Sequence, residues 1–270
     1  MRKTLIAGLV IAASLAGAST ASAAPAWAPA SSATVHPGVM TYTAGGQCTA
    51  NFVYTDASDT VYIGQAAHCS GTGGQTDTNG CDTQSLPNGT PVEVTGASQP
   101  GTLAYNSWTA MQNAGETDPD TCAYNDFALI KLNAADYGKV NPSVPTLGGP
   151  TGLGDTTATG DDVYSYGNSS LRQGITLLSP KRGISLGAEG GGWTHPVYTV
   201  SPGIPGDSGS GFMDADGSAF GVLSTLQIAP IAGSNGVSDL AKALAYARSH
   251  GGPNVTLANG TEPFTGSIIG

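Results

Sequence analysis

Short apolar runs separated by glycine and polar clusters dominate this chain. From Gly38 the runs "GVMTYT", "QCTANFVYT", "DTVYIG", "TPVEVTG" and "GTLAYNSW" follow one another, each bounded by turn formers. β-Branched and aromatic residues interrupted at that spacing predict the strands of a barrel or sandwich. "NDFALIKL", at 125–132, is an apolar strand that opens on an acid. The pattern lapses over 146–162, "TLGGPTGLGDTTATGDD", a Gly-, Pro- and Thr-rich stretch that predicts a linker between two halves. Strand-like runs resume with "DVYSYG", "QGITLLS", "HPVYTV", "SGSGFM" and "SAFGVLSTLQI". A single segment carries helical spacing: "SDLAKALAYARSHGG", at 238–252, repeats Leu240, Leu244 and Ala247, with Ser238 to cap its start and Gly251 to stop it.

The first residues stand apart. Arg2 and Lys3, the apolar run "LIAGLVIAASLAGA" and "ASA" at 21–23 have the three-part build of a secretory signal peptide, which predicts an exported product with no membrane span after cleavage. Residues 24–37, rich in Ala, Pro and Ser, read as a flexible lead-in. Loss of Arg2 and Lys3 leaves seven Lys+Arg against 19 Asp+Glu, a net charge of −12. That balance argues against nucleic acid as a partner, because phosphate binding draws on Lys and Arg. Four cysteines, Cys48, Cys69, Cys81 and Cys122, predict two disulfides in an exported chain, with three pairings open. Their spacing matches no metal motif, and no metal or organic cofactor is expected.

Candidate chemistry centres on "GIPGDSGSGF", 203–212. A strand does not choose that composition. A nucleophilic serine does, because glycines beside it let the backbone turn sharply and aim N–H groups into one small space. Ser208 would need a base and an orienting carboxylate. His68, in "GQAAHCSG", is the candidate base, flanked by small residues and by a cysteine that can pin it. Asp126 is the candidate carboxylate, since the apolar strand that follows it suits partial burial, whereas "TDPDT" and "DADG" are turn-like. His195, in "GGWTHPVY", reads as a surface or loop residue, and His250 as a cation at a helix C-terminus.

"AAHC", "NDFALI" and "GDSGSG", in that order, resemble the chymotrypsin-like serine endopeptidases over roughly Gly38 to His250. The resemblance implies an all-β fold of two antiparallel six-stranded β-barrels with a C-terminal α-helix, the first barrel over 38–145 and the second, with the helix, over 163–270. It implies a secreted, monomeric enzyme acting on protein or peptide substrates. Ser208 would be the nucleophile, His68 the general base and Asp126 its orienter, with the N–H groups of Gly206 and Ser208 as the oxyanion hole. It also implies the pairs Cys48–Cys69 and Cys81–Cys122. The specificity floor would fall at Pro202 and the wall at Ser224, Thr225 and Leu226, an uncharged pocket for small or medium apolar side chains. The chain departs from the family at Ser210 and Gly211, and it has no activation site near its start. Asp207 therefore lacks the amino group it usually pairs with, and Arg172, Lys181 and Arg182 are the candidate substitutes.

Two other readings compete. Ser208, Asp239 and His250 run in the order of an α/β-hydrolase esterase, but Ser210 breaks the G-x-S-x-G pattern and the alternation of strands and helices is missing. A catalytically inactive binding protein on the same fold is the second, and the presence of all three candidate residues counts against it.

Overall fold

The computed structural model describes residues 25–74, 76–229 and 231–268. The signal-like segment lies outside them. The first half contains β1 (Met40–Thr43), β2 (Gly46–Thr49), β3 (Val53–Asp56), β4 (Val61–Gln65), β5 (Pro91–Val94), β6 (Gly101–Asn106) and β7 (Ala128–Lys131). The second contains β8 (Gly152–Leu153), β9 (Asp162–Tyr166), β10 (Pro180–Ser185), β11 (Thr194–Thr199), β12 (Gly211–Met213), β13 (Ser218–Gln227) and β14 (Ser234–Asp239). A last strand, β15 (Val255–Leu257), returns to the first half and pairs with β3.

The first sheet has the order β15-β3-β4-β7-β6-β5-β1-β2, and it wraps around Val53, Ile63, Val92, Leu103 and Ile130. In the second, β12 pairs with both β9 and β13 and closes a six-stranded barrel, β12-β9-β10-β11-β14-β13, around Val163, Val197, Phe212, Phe220 and Val237. A third and larger apolar cluster, including Phe52, Trp108, Phe127, Tyr164, Met213 and Leu240, fills the seam between the halves. β5 alternates exposed-buried-exposed-buried and so turns one face to the core, whereas β4 and β14 are buried along their whole length.

The described residues form three α-helices where the sequence pattern predicted one: α1 (Ser107–Ala114), α2 (Pro119–Tyr124) and α3 (Leu240–Ser249). α1 begins inside a run read as strand. Asn106 ends β6 and caps the helix, its Oδ1 accepting from Trp108 N at 2.9 Å, and Gly115 stops it in the left-handed region at φ 66°. α2 starts at Asp118, whose carboxylate accepts from Thr121 N at 2.8 Å, with Pro119 at its first position. α3 is capped by Asp239 rather than Ser238: Asp239 Oδ1 accepts from Lys242 N at 2.7 Å, while the Ser238 hydroxyl donates to Tyr124 O.

Residues 25–37, within the stretch 24–37 expected to be a flexible lead-in, are held against the first half. Val35 is fully buried and bridges Val140 in parallel, and Ala28 N donates to Val140 O at 2.9 Å. Asn141 Nδ2 holds Ala28 O at 2.7 Å, and Trp27 packs on the first core. One buried valine and a run of backbone pairing outweigh the Ala-, Pro- and Ser-rich composition that predicted disorder. The other end of the chain fastens the halves together. Beyond β15, Gly260 N donates to Pro150 O at 2.8 Å and Phe264 meets Tyr164 edge-on at 5.3 Å.

Candidate active site

The register of β4 and β7 brings His68 and Asp126 together. Gln65 stands opposite Ala128, so the chain leaving β4 and the chain entering β7 run side by side beyond the pair. His68 sits on a single 3-10 turn, Ala67–Ser70, and Asp126 lies two residues before β7. Asp126 accepts from His68 N at 2.9 Å through Oδ1 and from His68 Nδ1 at 2.6 Å through Oδ2. Two further groups hold the turn: Asn106 Nδ2 donates to Ala67 O at 2.9 Å, and the Cys48–Cys69 disulfide ties the residue after His68 to β2. The second disulfide, Cys81–Cys122, anchors the long loop before β5 to α2.

The two groups tune one another. Burial pushes the Asp126 carboxyl up, but the charge of His68 and the hydrogen bonds from its ring, from Ser224 and from its backbone N–H carry it below its ordinary value. Burial disfavours the His68 imidazolium, yet the Asp126 charge and hydrogen bond outweigh it and hold the ring above its ordinary value. With Nδ1 committed to the carboxylate, Nε2 is the nitrogen left to take a proton. The side chain of His68 is 28% exposed against 4% for Asp126, so the ring faces the cleft and the acid does not.

Ser208 lies in the loop between β11 and β12. Between residues 203 and 210 nearly every backbone N–H is used: Gly203 donates to Asn235 Oδ1, Ile204 to Asp207 Oδ2, Asp207 to Ile204 O, Gly209 to Leu223 O and Ser210 to Asp207 O. Only the N–H groups of Gly206 and Ser208 have no acceptor among the described residues. The left-handed φ of Gly206, 95°, and of Gly209, 90°, produces this exposure of two donors. The loop is docked on the first half. Gly206 O accepts from Gln47 Nε2 at 3.0 Å and from Thr49 Oγ1 at 2.8 Å, and Ser208 O accepts from Thr49 N at 2.8 Å. Gly209 lies so close that a Cβ there would stand 2.5 Å from Thr49 O and 2.9 Å from Ala66 N, two residues before His68. The Ser208 hydroxyl itself makes no hydrogen bond among the described residues.

Asp207, fully buried beneath this loop, carries the loop's electrostatic anchor. Its carboxylate pairs with Arg172 and with Lys181 Nζ at 3.1 Å, and it accepts from Ser169 N at 3.0 Å. Of the three cations considered for it, two are used together. Arg182 is outside, half exposed, and pairs with Asp162 at 3.2 Å. Burial lowers the Lys181 ammonium below its ordinary value; Asp207 opposes that shift and Arg172 adds to it.

No protein-family model matches the chain. No curated protein matches it either. Among solved structures it is similar to Thermobifida fusca protease A, at 18% identity over 84% of this chain and 99% of that one, with a TM-score of 0.55. A glutamic-acid-specific serine protease aligns at 18% identity over 83% of this chain and 100% of its own, TM-score 0.52. A Glu endopeptidase aligns at 17% identity over 79% and 91%, TM-score 0.52. The chain has the chymotrypsin-like serine protease fold.

Within that fold the remaining candidates fall as follows. Ser224 is turned to the carboxylate, donating to Asp126 Oδ2 at 2.5 Å. Pro202 is exposed and its carbonyl accepts from Arg172 and Lys181, both at 3.4 Å. Leu226 is 57% exposed, and Thr225 O accepts from the buried Asn235 Nδ2 at 3.2 Å. His195 is not a surface residue: it is fully buried in β11, and its Nε2 meets Asp239 at 2.8 Å. That pair commits Asp239 to structure, and His250 stacks on Tyr246 at 3.8 Å, so the alternative Ser208, Asp239 and His250 set is not assembled. Sequence reasoning missed Gln47, Thr49, Asn106 and Asn235. Each acts through one to three hydrogen bonds to distant backbone, and no local pattern marks such residues.

Proposed function

We propose that this protein is a serine endopeptidase, exported and oxidised, that cleaves through Ser208, His68 and Asp126. The observation that carries the reading is the pair of unused N–H groups, Gly206 and Ser208, on either side of a buried acid and next to a His–Asp pair closed at 2.6 Å. Such donors are worth little to a resting loop and much to an oxyanion. Ser208 Oγ attacks the scissile carbonyl carbon while its proton passes to His68 Nε2. The carbonyl oxygen becomes the oxyanion and accepts from Gly206 and Ser208. Collapse breaks the C–N bond, the imidazolium gives its proton to the departing amine, and water repeats the cycle on the acyl-enzyme. Asp126 stabilises the imidazolium, and Ser224 holds Asp126.

The substrate runs along β13. Thr225 and Gln227 turn their carbonyls toward Asn235 and Gly233, on the β14 side. The backbone of Leu226 therefore faces the other edge, which is unpaired beyond Leu223 among the described residues, and an extended peptide adds there as a strand. The walls offered to its side chain, Pro202, Thr225 and Leu226, are uncharged and favour small or medium apolar residues. The glutamate selectivity named for two structural neighbours is not carried over. Two disulfides support an extracellular setting, and the Arg172–Asp207–Lys181 cluster supports an oxyanion loop formed without cleavage of an activation peptide.

A fluorophosphonate probe followed by peptide mapping tests this. Labelling of Ser208 that is lost in His68→Ala establishes the activated nucleophile; no labelling of the folded, oxidised protein refutes it.

A further inference from the structure

We propose that the Ser169 hydroxyl is a positioning group for catalysis: it fixes the Pro205–Gly206 peptide so that the Gly206 N–H is aimed at the oxyanion. This rests on the endopeptidase reading and goes beyond it by naming a residue, outside the triad and the oxyanion donors, on which turnover depends. In a trans peptide the C=O and the N–H point to opposite sides, so holding one aims the other. Ser169 Oγ donates to Pro205 O at 2.5 Å, and it is the only donor to that carbonyl among the described residues. The hydroxyl is itself held in place, on a residue 1% exposed. Ser169 N donates to Asp207 Oδ1 at 3.0 Å, Ser169 O accepts from Arg172 N at 3.0 Å, and Arg172 pairs with the other oxygen of the same carboxylate.

The neighbouring peptides do not depend on one side chain. Gly206–Asp207 is tied at both ends, Gly206 O by Gln47 Nε2 and Thr49 Oγ1, and Asp207 N by Ile204 O. Asp207–Ser208 carries the second oxyanion donor, and its carbonyl accepts from both the hydroxyl and the N–H of Ser210, the latter at 3.0 Å. Pro205–Gly206 has the Ser169 hydroxyl alone. It is also the peptide that turns over most easily. A flip changes ψ of Pro205 and φ of Gly206 together, and a glycine at φ 95° occupies the negative side as readily. The same flip at Asp207–Ser208 would drive Ser208 to positive φ, which its side chain disfavours. Once flipped, Gly206 turns its N–H away and Pro205 O points to where negative charge develops, so the site loses a donor and gains an opposing dipole. A Cβ on Gly206 would stand 2.9 Å from Ser169 Oγ, so the hydroxyl lies against the pivot itself.

The test is steady-state hydrolysis of a peptide anilide by wild type, Ser169→Ala, Ser169→Thr and Ser210→Ala, with active sites counted by the fluorophosphonate probe. Ser169→Ala should lower kcat at least about 10-fold, short of the roughly 10²–10³-fold that loss of a whole oxyanion donor costs. KM should stay within about 2-fold, because the donor acts on the transition state rather than on bound substrate. The acid limb of kcat/KM should keep its pH, since the His68–Asp126 pair is untouched. Ser169→Thr returns a hydroxyl to the same Cβ and should recover most of kcat. Ser210→Ala keeps the backbone bond to Asp207 O and should lose no more than about 3-fold. The proposal is overturned by a Ser169→Ala kcat within about 3-fold of wild type, by a loss carried in KM or in a shifted pH limb, or by an equal loss in Ser210→Ala. If Ser169→Thr does not fold, the division of the Ser169→Ala effect between kcat and KM decides. Absence of both labelling and hydrolysis in the wild type overturns the endopeptidase reading, and the role of Ser169 with it.

Discussion

Two buried cations share one buried carboxylate beneath the Ser208 loop, and removing different members of that cluster should have unequal consequences. Asp207→Asn keeps the shape and most of the hydrogen bonding but deletes the single charge facing Arg172 and Lys181, whose side chains are 8% and 0% exposed. Leaving a buried charge uncompensated costs on the order of 3–5 kcal/mol, here with two cations affected. That is a large part of the roughly 5–15 kcal/mol that holds a domain folded. Lys181→Met instead removes one of two competing cations and leaves the Arg172–Asp207 pair intact. It forfeits the Nζ contacts to Asp207 and Ser201 O but also the desolvation of an ammonium, so the net change should stay within about 1.5 kcal/mol. Urea unfolding followed by Trp fluorescence at pH 7 gives both numbers, and the rate of fluorophosphonate labelling reports whether the loop survives. The depressed Lys181 value adds a pH signature. Between its folded value and the ordinary 10.5 the unfolded chain binds more protons, so wild-type stability gains from this group as pH rises through that window, and Lys181→Met loses the gain. The reasoning is refuted if Asp207→Asn lies within about 1 kcal/mol of wild type, or if Lys181→Met is as damaging as Asp207→Asn.

Asp126→Asn should lower kcat by about 10⁴-fold, because the amide no longer holds the imidazole in the tautomer that leaves Nε2 free, while Ser224→Ala should cost much less; steady-state hydrolysis of a peptide anilide measures both. Because His68 is raised above its ordinary 6.5, the acid limb of kcat/KM should fall above that pH, and a limb below it contradicts the charge coupling to Asp126. The same pair feeds stability in two windows, seen by urea unfolding across pH: the His68 contribution is present at low pH and lost as pH rises through its folded value, and the Asp126 contribution is present above 3.8 and lost as pH falls through its depressed value. Removing Cys48–Cys69, which spans 21 residues, should cost about 3 kcal/mol, and Cys81–Cys122, which spans 41, about 4 kcal/mol; only the first should also slow labelling of Ser208, since it alone braces the His68 turn.

Legibility along the chain followed the range of the forces involved. Most strands of both halves could be read because a half-buried strand writes its period into successive residues, as β5 does, but "QGITLLS" at 173–179 holds a 3-10 turn and the strand, β10, begins only after it. His68, Asp126 and Ser208 could be picked out because each sits in a local context of its own: small residues and a cysteine, an acid before an apolar run, and glycines around a hydroxyl. α1 and α2 were hidden because their caps, Asn106 and Asp118, are single polar residues inside segments whose composition favours strand or turn. The lead-in misled for the same reason, since Val35 is buried by a partner, Val140, over a hundred positions away.

The sequence by itself determined the class of fold, the candidate chemistry and the expectation of two disulfides, all of which rest on residue types and their neighbours. Only the tertiary structure decided which groups meet. Register across β4 and β7 set the His68–Asp126 contact, and chain crossing between the halves brought Thr49 and Gln47 to the Ser208 loop. Burial chose Arg172 and Lys181 over Arg182 for Asp207, and joined Asn235 to Gly203 and Thr225. Charge, hydrogen bonding and desolvation act over a few ångströms of space, and a chain folded through two sheets makes such neighbours from residues that the linear order keeps far apart.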